Sequence, residues 1–177
     1  MTTLTRPGFD DWALLLAAAV SVRGDCTRQQ VGAVILDSRN RVVSTGYNGA
    51  PPGGPSCLAG QCPRGRHYLA ARLDASSAAM CACGAPWPCT LAVAPGSSYD
   101  SGPGLCHALH AEQNCIIWAD PSRLPGATIA VTDEPCTGCA RMIAGTGIAR
   151  AVWGPPSAAA VEALQMMLAG LLLKGAS

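Results

Sequence analysis

HAEQNCIIWADPSRLPGATIAVTDEPCTGCARMIAGTGIARAVW, residues 110–153, decides how the chain is organised. His110 to Ala119 suits a helix, and Pro121 stops it because proline cannot continue the hydrogen-bond ladder. Ala127 to Val131 reads as a strand. Cys136 to Gly145 reads as a helix, with Gly145 and Gly147 near its end, where glycine commonly terminates one. Ala149 to Trp153 is another strand, closed by Gly154-Pro155-Pro156. Working outward, Val31 to Leu36 (VGAVIL) is the continuous, β-branched-rich run of a strand covered on both faces. Asp37 to Asn40 is a turn and Val42 to Tyr47 a second strand, so the two form a hairpin. Asp10 to Val22 is helical, capped by Asp10 or Asp11, with Trp12, Leu15, Leu16, Ala19 and Val20 as its apolar face. Ser157 to Ala169 is a helix capped by Ser157, apolar on most sides, and therefore buried in the core or in a subunit contact. A hairpin followed by α-β-α-β implies a layered α/β domain.

The chain has 177 residues, which suits one domain, 1–177. Charged residues make up 13% and hydrophobic ones 49%. So lean a surface favours burial against copies of the same chain. A formal charge of +1 provides no global field towards nucleic acid or a membrane, so neither is expected as a partner. Every basic residue except Lys174 is Arg, which leaves local phosphate recognition open. The apolar run Leu14 to Val20 is too short to span a bilayer, and Asp10 and Asp11 stand where a signal peptide would carry positive charge. The ten cysteines are therefore expected in a reducing cytoplasm, where clustered thiols bind metal more often than they pair.

From Asn48 to Pro55 glycine and proline dominate. Residues 58–105 form an irregular Cys-rich insertion, with one short helical candidate at Tyr68 to Met80. So long a stretch with so little regular pattern needs another source of order, and metal is the obvious one.

Two motifs carry chemistry: His110-Ala111-Glu112 and Pro135-Cys136-Thr137-Gly138-Cys139, each opening a helix. One imidazole and two thiolates make three ligands for Zn²⁺ and leave a fourth tetrahedral position for water. Cys136 and Cys139 are three residues apart, so both sulfurs point the same way from a helical first turn. The positive helix N-terminus favours thiolate over thiol. Zinc lowers the pKa of a bound water towards neutrality. Glu112 is not needed as a ligand; beside that water it can take a proton and deliver protons to a ring nitrogen and a leaving amine. Either motif alone has bland readings, as a structural zinc knuckle, a redox pair or a packed histidine. Together they form the signature of zinc deaminases as a class.

These residues, continued by Gln113-Asn114, resemble the cytidine/deoxycytidylate deaminase superfamily. Cys26-Thr27-Arg28-Gln29-Gln30-Val31-Gly32-Ala33-Val34, Ser44-Thr45-Gly46-Tyr47-Asn48-Gly49-Ala50-Pro51 and the Cys57-x-x-x-x-Cys62 spacing are similar to its deoxycytidylate (dCMP) deaminase family. The likeness covers residues 12–57 and 106–153. Free cytidine deaminases usually have Cys where His110 stands. Riboflavin-pathway deaminases have a longer gap between their two Cys ligands. tRNA adenosine deaminases lack Gly46-Tyr47-Asn48-Gly49 and usually carry a basic surface. The resemblance implies a three-layer α/β/α cytidine-deaminase-like fold with a central mixed sheet, and hydrolysis of dCMP to dUMP and ammonia. It places Asn48 near the sugar or base, Arg28 at the 5′-phosphate (or else on the surface), and Ala111 and Thr132 around the base. Trp153 either walls the pocket or packs in the core. Trp118 is expected in the core or an interface, and Cys115 is expected to be packed.

The resemblance further implies a structural zinc held by Cys26, Cys57, Cys62 and Cys106. Pro103 stands where a His often does, so Cys62, His67 or His107 takes that place. Cys81, Cys83 and Cys89 have no counterpart; they join a further metal site, with His67, or are buried thiols. The family is often a homo-hexamer, and some members respond to dCTP and dTTP. The Gly46-Tyr47-Asn48-Gly49 loop used for this is present, but Trp118-Ala119-Asp120-Pro121 lacks a basic residue that regulated members use. Two other functions fit the motifs: deamination of a modified or different base, through a pocket reshaped by residues 58–105, and a zinc-stabilised binding module without turnover.

Overall fold

The computed structural model describes residues 6–67, 79–92 and 106–174, with residues 167–174 described through their backbone alone. Four strands, β1 (Gly32–Leu36), β2 (Val42–Tyr47), β3 (Thr128–Val131) and β4 (Arg150–Trp153), form one mixed sheet in the order β2-β1-β3-β4. The β1–β2 and β1–β3 pairs are antiparallel, and β3–β4 is parallel. The parallel pair needs a crossover, and α3 (Thr137–Gly145) supplies it. β1 is buried along its whole length, as its unbroken apolar run predicts.

Side chains alternate across β1 and so divide the core. Ala33 and Ile35, with Ile129 and Val131, pack against Ala111 and Cys115 of α2 (Ala111–Ile117) and Ile143 of α3. Val34 and Leu36, with Ala130, pack against Ala13, Leu14 and Ala17 of α1 (Phe9–Ser21) on the other face. α4 (Ala158–Lys174) lies against α1. Helices therefore cover both faces, giving three layers. Among the described residues no helix is long and apolar enough to cross a membrane.

Several expectations shift. The N-cap of α1 is Gly8; Asp10 and Asp11 lie in its first turn and are used across layers. Asp10 pairs with Arg150, and Asp11 accepts from the backbone and hydroxyl of Ser157, both at 3.0 Å. The buried stripe of α1 is Ala13, Leu14 and Ala17, flanked by Trp12, Leu16 and Val20, while Ala19 is exposed. The tight fit to the sheet selects small residues for that stripe, which hydrophobicity alone does not single out. Ser157 caps α4 as expected, accepting from Ala160 N at 3.2 Å. The helix expected at Tyr68–Met80 lies outside the described residues except for its last two positions. Trp118 is exposed and Cys115 fully buried.

Two glycines set how closely the layers approach. A Cβ on Gly32 would lie 2.1 Å from the Ala17 carbonyl oxygen in α1. A Cβ on Gly46 would lie 2.3 Å from the Ala111 carbonyl oxygen and 2.4 Å from the Cys115 amide nitrogen, so α2 rests backbone-to-backbone on β2. Gly147, with φ +81°, ends α3 as its C′ residue. At the hairpin turn one Asp37 carboxylate oxygen accepts from Arg39 N and Arg41 N, both at 2.9 Å, and Asn40 takes φ +58°. Arg123 bonds the other oxygen, and these donors hold the Asp37 carboxyl down at about 2.

Gly46→Ala should push α2 off the sheet and cost about 1–3 kcal/mol, as overpacking against backbone does. Thermal unfolding at an unchanged midpoint would show that the contact has slack. The lowered Asp37 pKa means its stabilisation is complete above about pH 4 and fades as the pH falls through about 2. Asp37→Asn should therefore flatten the acid limb of a stability-against-pH curve in that window, an effect absent if the two curves run parallel.

Candidate metal centre and active site

The two motifs meet because the backbone around each is fixed independently. After β2, Gly49 and Leu109 exchange a pair of backbone hydrogen bonds, 3.1 and 2.8 Å, which brings the chain before α2 alongside the end of β2. His110 is the N-cap of α2, in extended backbone, and its amide donates to Gln113 Oε1 at 2.8 Å. Asn114 Nδ2 donates to the Tyr47 carbonyl at 2.7 Å and fixes the helix's rotation over β2. Cys136 is the N-cap of α3, and its sulfur accepts from the Cys139 amide at 3.5 Å. Both helix N-termini thus open towards the same end of the sheet.

There His110 Nδ1 lies 3.6 Å from Cys136 Sγ and 3.4 Å from Cys139 Sγ. A tetrahedral zinc with bonds of about 2.3 Å to sulfur and about 2.0 Å to nitrogen holds such atoms about 3.5 Å apart. The donor set and spacing fit one Zn²⁺ with a fourth position left open. Nδ1 faces the sulfurs, so ligation there places the ring proton on Nε2.

Glu112, 4% exposed, lies beside this trio. Burial pushes its carboxyl up, while a backbone hydrogen bond at the helix start, the His110 ring and the Cys139 sulfur pull the other way. Burial, then the Glu112 and Cys136 charges, push the Cys139 thiol far above the ordinary range. Two thiolates and a carboxylate share this pocket only if a cation balances them.

Other predicted residues fall around this end of the sheet. Ala111 is fully buried in the first turn of α2. Thr132 extends the β1–β3 ladder: its amide donates to Gly32 O at 3.0 Å, and its Oγ1 accepts from Gly32 N at 3.1 Å. Asn48, 2% exposed, accepts from Val31 N at 2.9 Å and donates to Gln29 O at 2.8 Å, which braces the loop carrying Arg28. Arg28 is half-buried in that loop, and Gln29 Nε2 ties the loop to Asp133 at 2.7 Å, just beyond β3. Trp153 is 51% exposed, so it is not core; it lines an open groove with Glu134, Pro135, Ile143 and Arg150. Sequence reading missed the supports Gln29, Gln113, Asn114 and Asp133. Only Gln113, three residues after an N-cap, carries a local signal, that of a capping box.

Cys26, Cys57 and Cys62 are buried and Cys106 half-buried. Arg28 N donates to Cys26 Sγ at 3.4 Å, and Gly65 N donates to Cys62 Sγ at 3.2 Å. Hydrogen bonding to Cys26, burial and Cys62 raise the Cys57 thiol; burial and the same two neighbours raise Cys106. The sulfurs are neighbours but less tightly gathered than the His110 trio. Among the described residues, the groups with at least three ligand atoms within 4.8 Å of one another are His110-Cys136-Cys139 and His67-Cys81-Cys83-Cys89. His67 therefore stands with the second of these rather than with Cys62.

Comparison with known proteins places this arrangement. The family model for the cytidine and deoxycytidylate deaminase zinc-binding region matches residues 9–155. The deoxycytidylate deaminase of Mycobacterium phage D29 is 40% identical over 151 residues, 85% of this chain and 97% of that protein. The deoxycytidylate deaminase of Enterobacteria phage T4 is 33% identical over 148 residues, 79% and 74% of the two chains. The crystal structure of the dCMP deaminase from cyanophage S-TIM5 in apo form superposes with a TM-score of 0.52 at 18% identity, covering 91% of this chain and 94% of that one, so the fold is shared. A match that runs through both zinc motifs, and a relative paired along nearly its whole length, make this chain a member of the cytidine and deoxycytidylate deaminase family.

Proposed function

We propose that this chain deaminates a cytosine nucleotide by hydrolysis, converting dCMP and water to dUMP and ammonia. The observation that carries the reading is the spacing of His110 Nδ1, Cys136 Sγ and Cys139 Sγ for one ion with Glu112 buried beside them. The names of the phage relatives point to the same substrate.

His110, Cys136 and Cys139 would hold Zn²⁺, which when bound makes a water acidic enough to act as a nucleophile near neutral pH. Glu112 takes the proton of the attacking water. It gives that proton to the ring nitrogen next to C4 as the C4–O bond forms, then takes the proton of the new C4 hydroxyl and passes it to the amine, so that C4=O forms as the C4–N bond breaks and ammonia leaves. Burial raises the Glu112 carboxyl above the ordinary range, which helps it hold a proton between taking it and giving it up. Arg28 receives the 5′-phosphate, where a guanidinium fork offers two parallel bonds. Asn48 sets the Arg28 loop and reaches the sugar or base, Ala111 and Thr132 border the base, and Trp153 walls the approach beside Pro135.

The reading extends to a single domain over 1–177 and to a structural zinc at Cys26, Cys57, Cys62 and Cys106. The amide–sulfur bonds of Arg28 and Gly65 support that zinc, since such donors stabilise thiolates. A cytoplasmic location is supported by the clustering of cysteines in metal-binding rather than disulfide-type arrangements. A homo-oligomer, a hexamer if the family resemblance holds for assembly, gains support from exposed Trp118, Leu164 and Met166. dCTP and dTTP as effectors rest on the Gly46–Gly49 loop alone.

Glu112→Ala should reduce ammonia release from dCMP by at least about 10²-fold with zinc content unchanged; a variant as active as the parent would overturn the mechanism. A panel of dCMP, CMP, deoxycytidine, 5-substituted dCMP and a guanine compound tests the substrate, and dCMP should be turned over best. Removing the phosphate, or Arg28→Ala acting on dCMP, should lower kcat/KM roughly 10- to 150-fold, the worth of one charged hydrogen-bonding group. Equal turnover of dCMP and deoxycytidine would count against Arg28 as the phosphate ligand.

A further inference from the structure

Residues 79–92 form a tight hairpin with almost no core of its own. Met80 and Pro86 pair across it, Cys81 N donates to Ala85 O at 2.8 Å, and Trp87 N donates to Ala79 O at 2.9 Å. Gly84, with φ +87°, makes the turn, and its amide donates to Cys81 O at 2.9 Å. Cys81, 2% exposed, is the one buried side chain of this segment, while Met80 and Leu91 face solvent. Hydrophobic burial therefore does not hold the hairpin against the rest of the chain.

Four metal-ligating side chains converge where that hairpin meets the segment ending at His67. The ligand atoms of His67, Cys81, Cys83 and Cys89 all lie within 4.8 Å of one another. His67 Nδ1 is 3.4 Å from Cys89 Sγ, close to the spacing of about 3.5 Å that a shared tetrahedral zinc imposes. His67 and Cys81 are buried, Cys89 is half-buried and Cys83 is exposed, yet the Cys83 sulfur still joins the cluster, so the four ligand atoms gather at the protein surface.

We propose that His67, Cys81, Cys83 and Cys89 bind a structural Zn²⁺, distinct from the ion at His110 and from the cysteines around Cys62. Three thiolates and one imidazole are soft donors in a number that favours tetrahedral zinc. Four protein ligands close the coordination sphere and leave no position for water, which makes the site structural. The ion cross-links the hairpin to the chain at His67 and supplies order that burial does not. Arg66, exposed, donates from its Nε to His67 Nε2 at 3.4 Å, a long contact that metal on Nδ1 would replace, because the ring proton then sits on Nε2.

The test counts zinc per chain in the purified full-length protein by elemental analysis. Cys81→Ser with Cys89→Ser should lose one zinc per chain relative to the parent, and adding Cys136→Ser should lose one more. His67→Cys should keep the parent count, because four donors remain. An unchanged count in the double variant would overturn the site. If that variant does not accumulate, cobalt(II)-loaded parent and His67→Cys are compared. Exchanging nitrogen for sulfur should strengthen the thiolate-to-cobalt charge-transfer absorption and move the d–d bands to lower energy; superimposable spectra would overturn the proposal. Neither readout uses turnover. A protein inactive on every nucleotide that still loses one zinc with the double variant would sink the deaminase reading and leave this site standing.

Discussion

Two helix N-termini aimed at one point repel each other, because each carries roughly half a positive charge. In this chain α2 and α3 are aimed that way, and the arrangement holds only because anionic groups fill the space between them. Cys136 and Cys139 supply sulfur at the start of α3, and Glu112 supplies a carboxylate at the start of α2. Those anions, gathered and largely dry, then need a cation. Helix dipoles, thiolates and metal are thus one balanced system, and the sheet beneath exists in part to keep its two halves in register.

That register depends on close backbone approach rather than on large side chains. Gly46 lets α2 lie directly on β2, and Gly32 does the same for α1 on β1. The exchange between Gly49 and Leu109, with Asn114 on the Tyr47 carbonyl, turns a packed helix into a positioned one. Asn48 and the Gln29–Asp133 bond extend the same control to the loop bearing Arg28. The candidate metal site and the loop bearing Arg28 therefore hang from one end of the sheet, where β1, β2 and β3 finish or begin.

The described residues between Asn48 and Leu109 are built differently. They add little to either hydrophobic cluster, yet they contain most of the sulfur outside the α3 motif. Clusters of sulfur and imidazole stand there in place of the apolar core that glycine- and proline-rich segments cannot build. Asp25 contributes too: its carboxylate accepts from Ser56 Oγ at 2.7 Å and from Cys57 N at 3.0 Å, fastening the start of that region to the loop before β1.

Local chemistry was legible in the sequence. The strands of the hairpin, the helix starts at His110 and Cys136, the Ser157 cap and the metal-ligand spacing all follow from residues a few positions apart, because caps, turns and periodicity are short-range effects. Tertiary structure decided what long-range approach controls. It chose Ala13, Leu14 and Ala17 over Leu15 and Ala19 as the buried stripe of α1, put Asp10 and Asp11 to work across layers, and left Trp153 outside the core. It also moved His67 away from Cys62 and towards Cys81, Cys83 and Cys89. No local rule says which of ten thiols and three imidazoles will meet, because that depends on where each backbone segment is carried by the packing of the others.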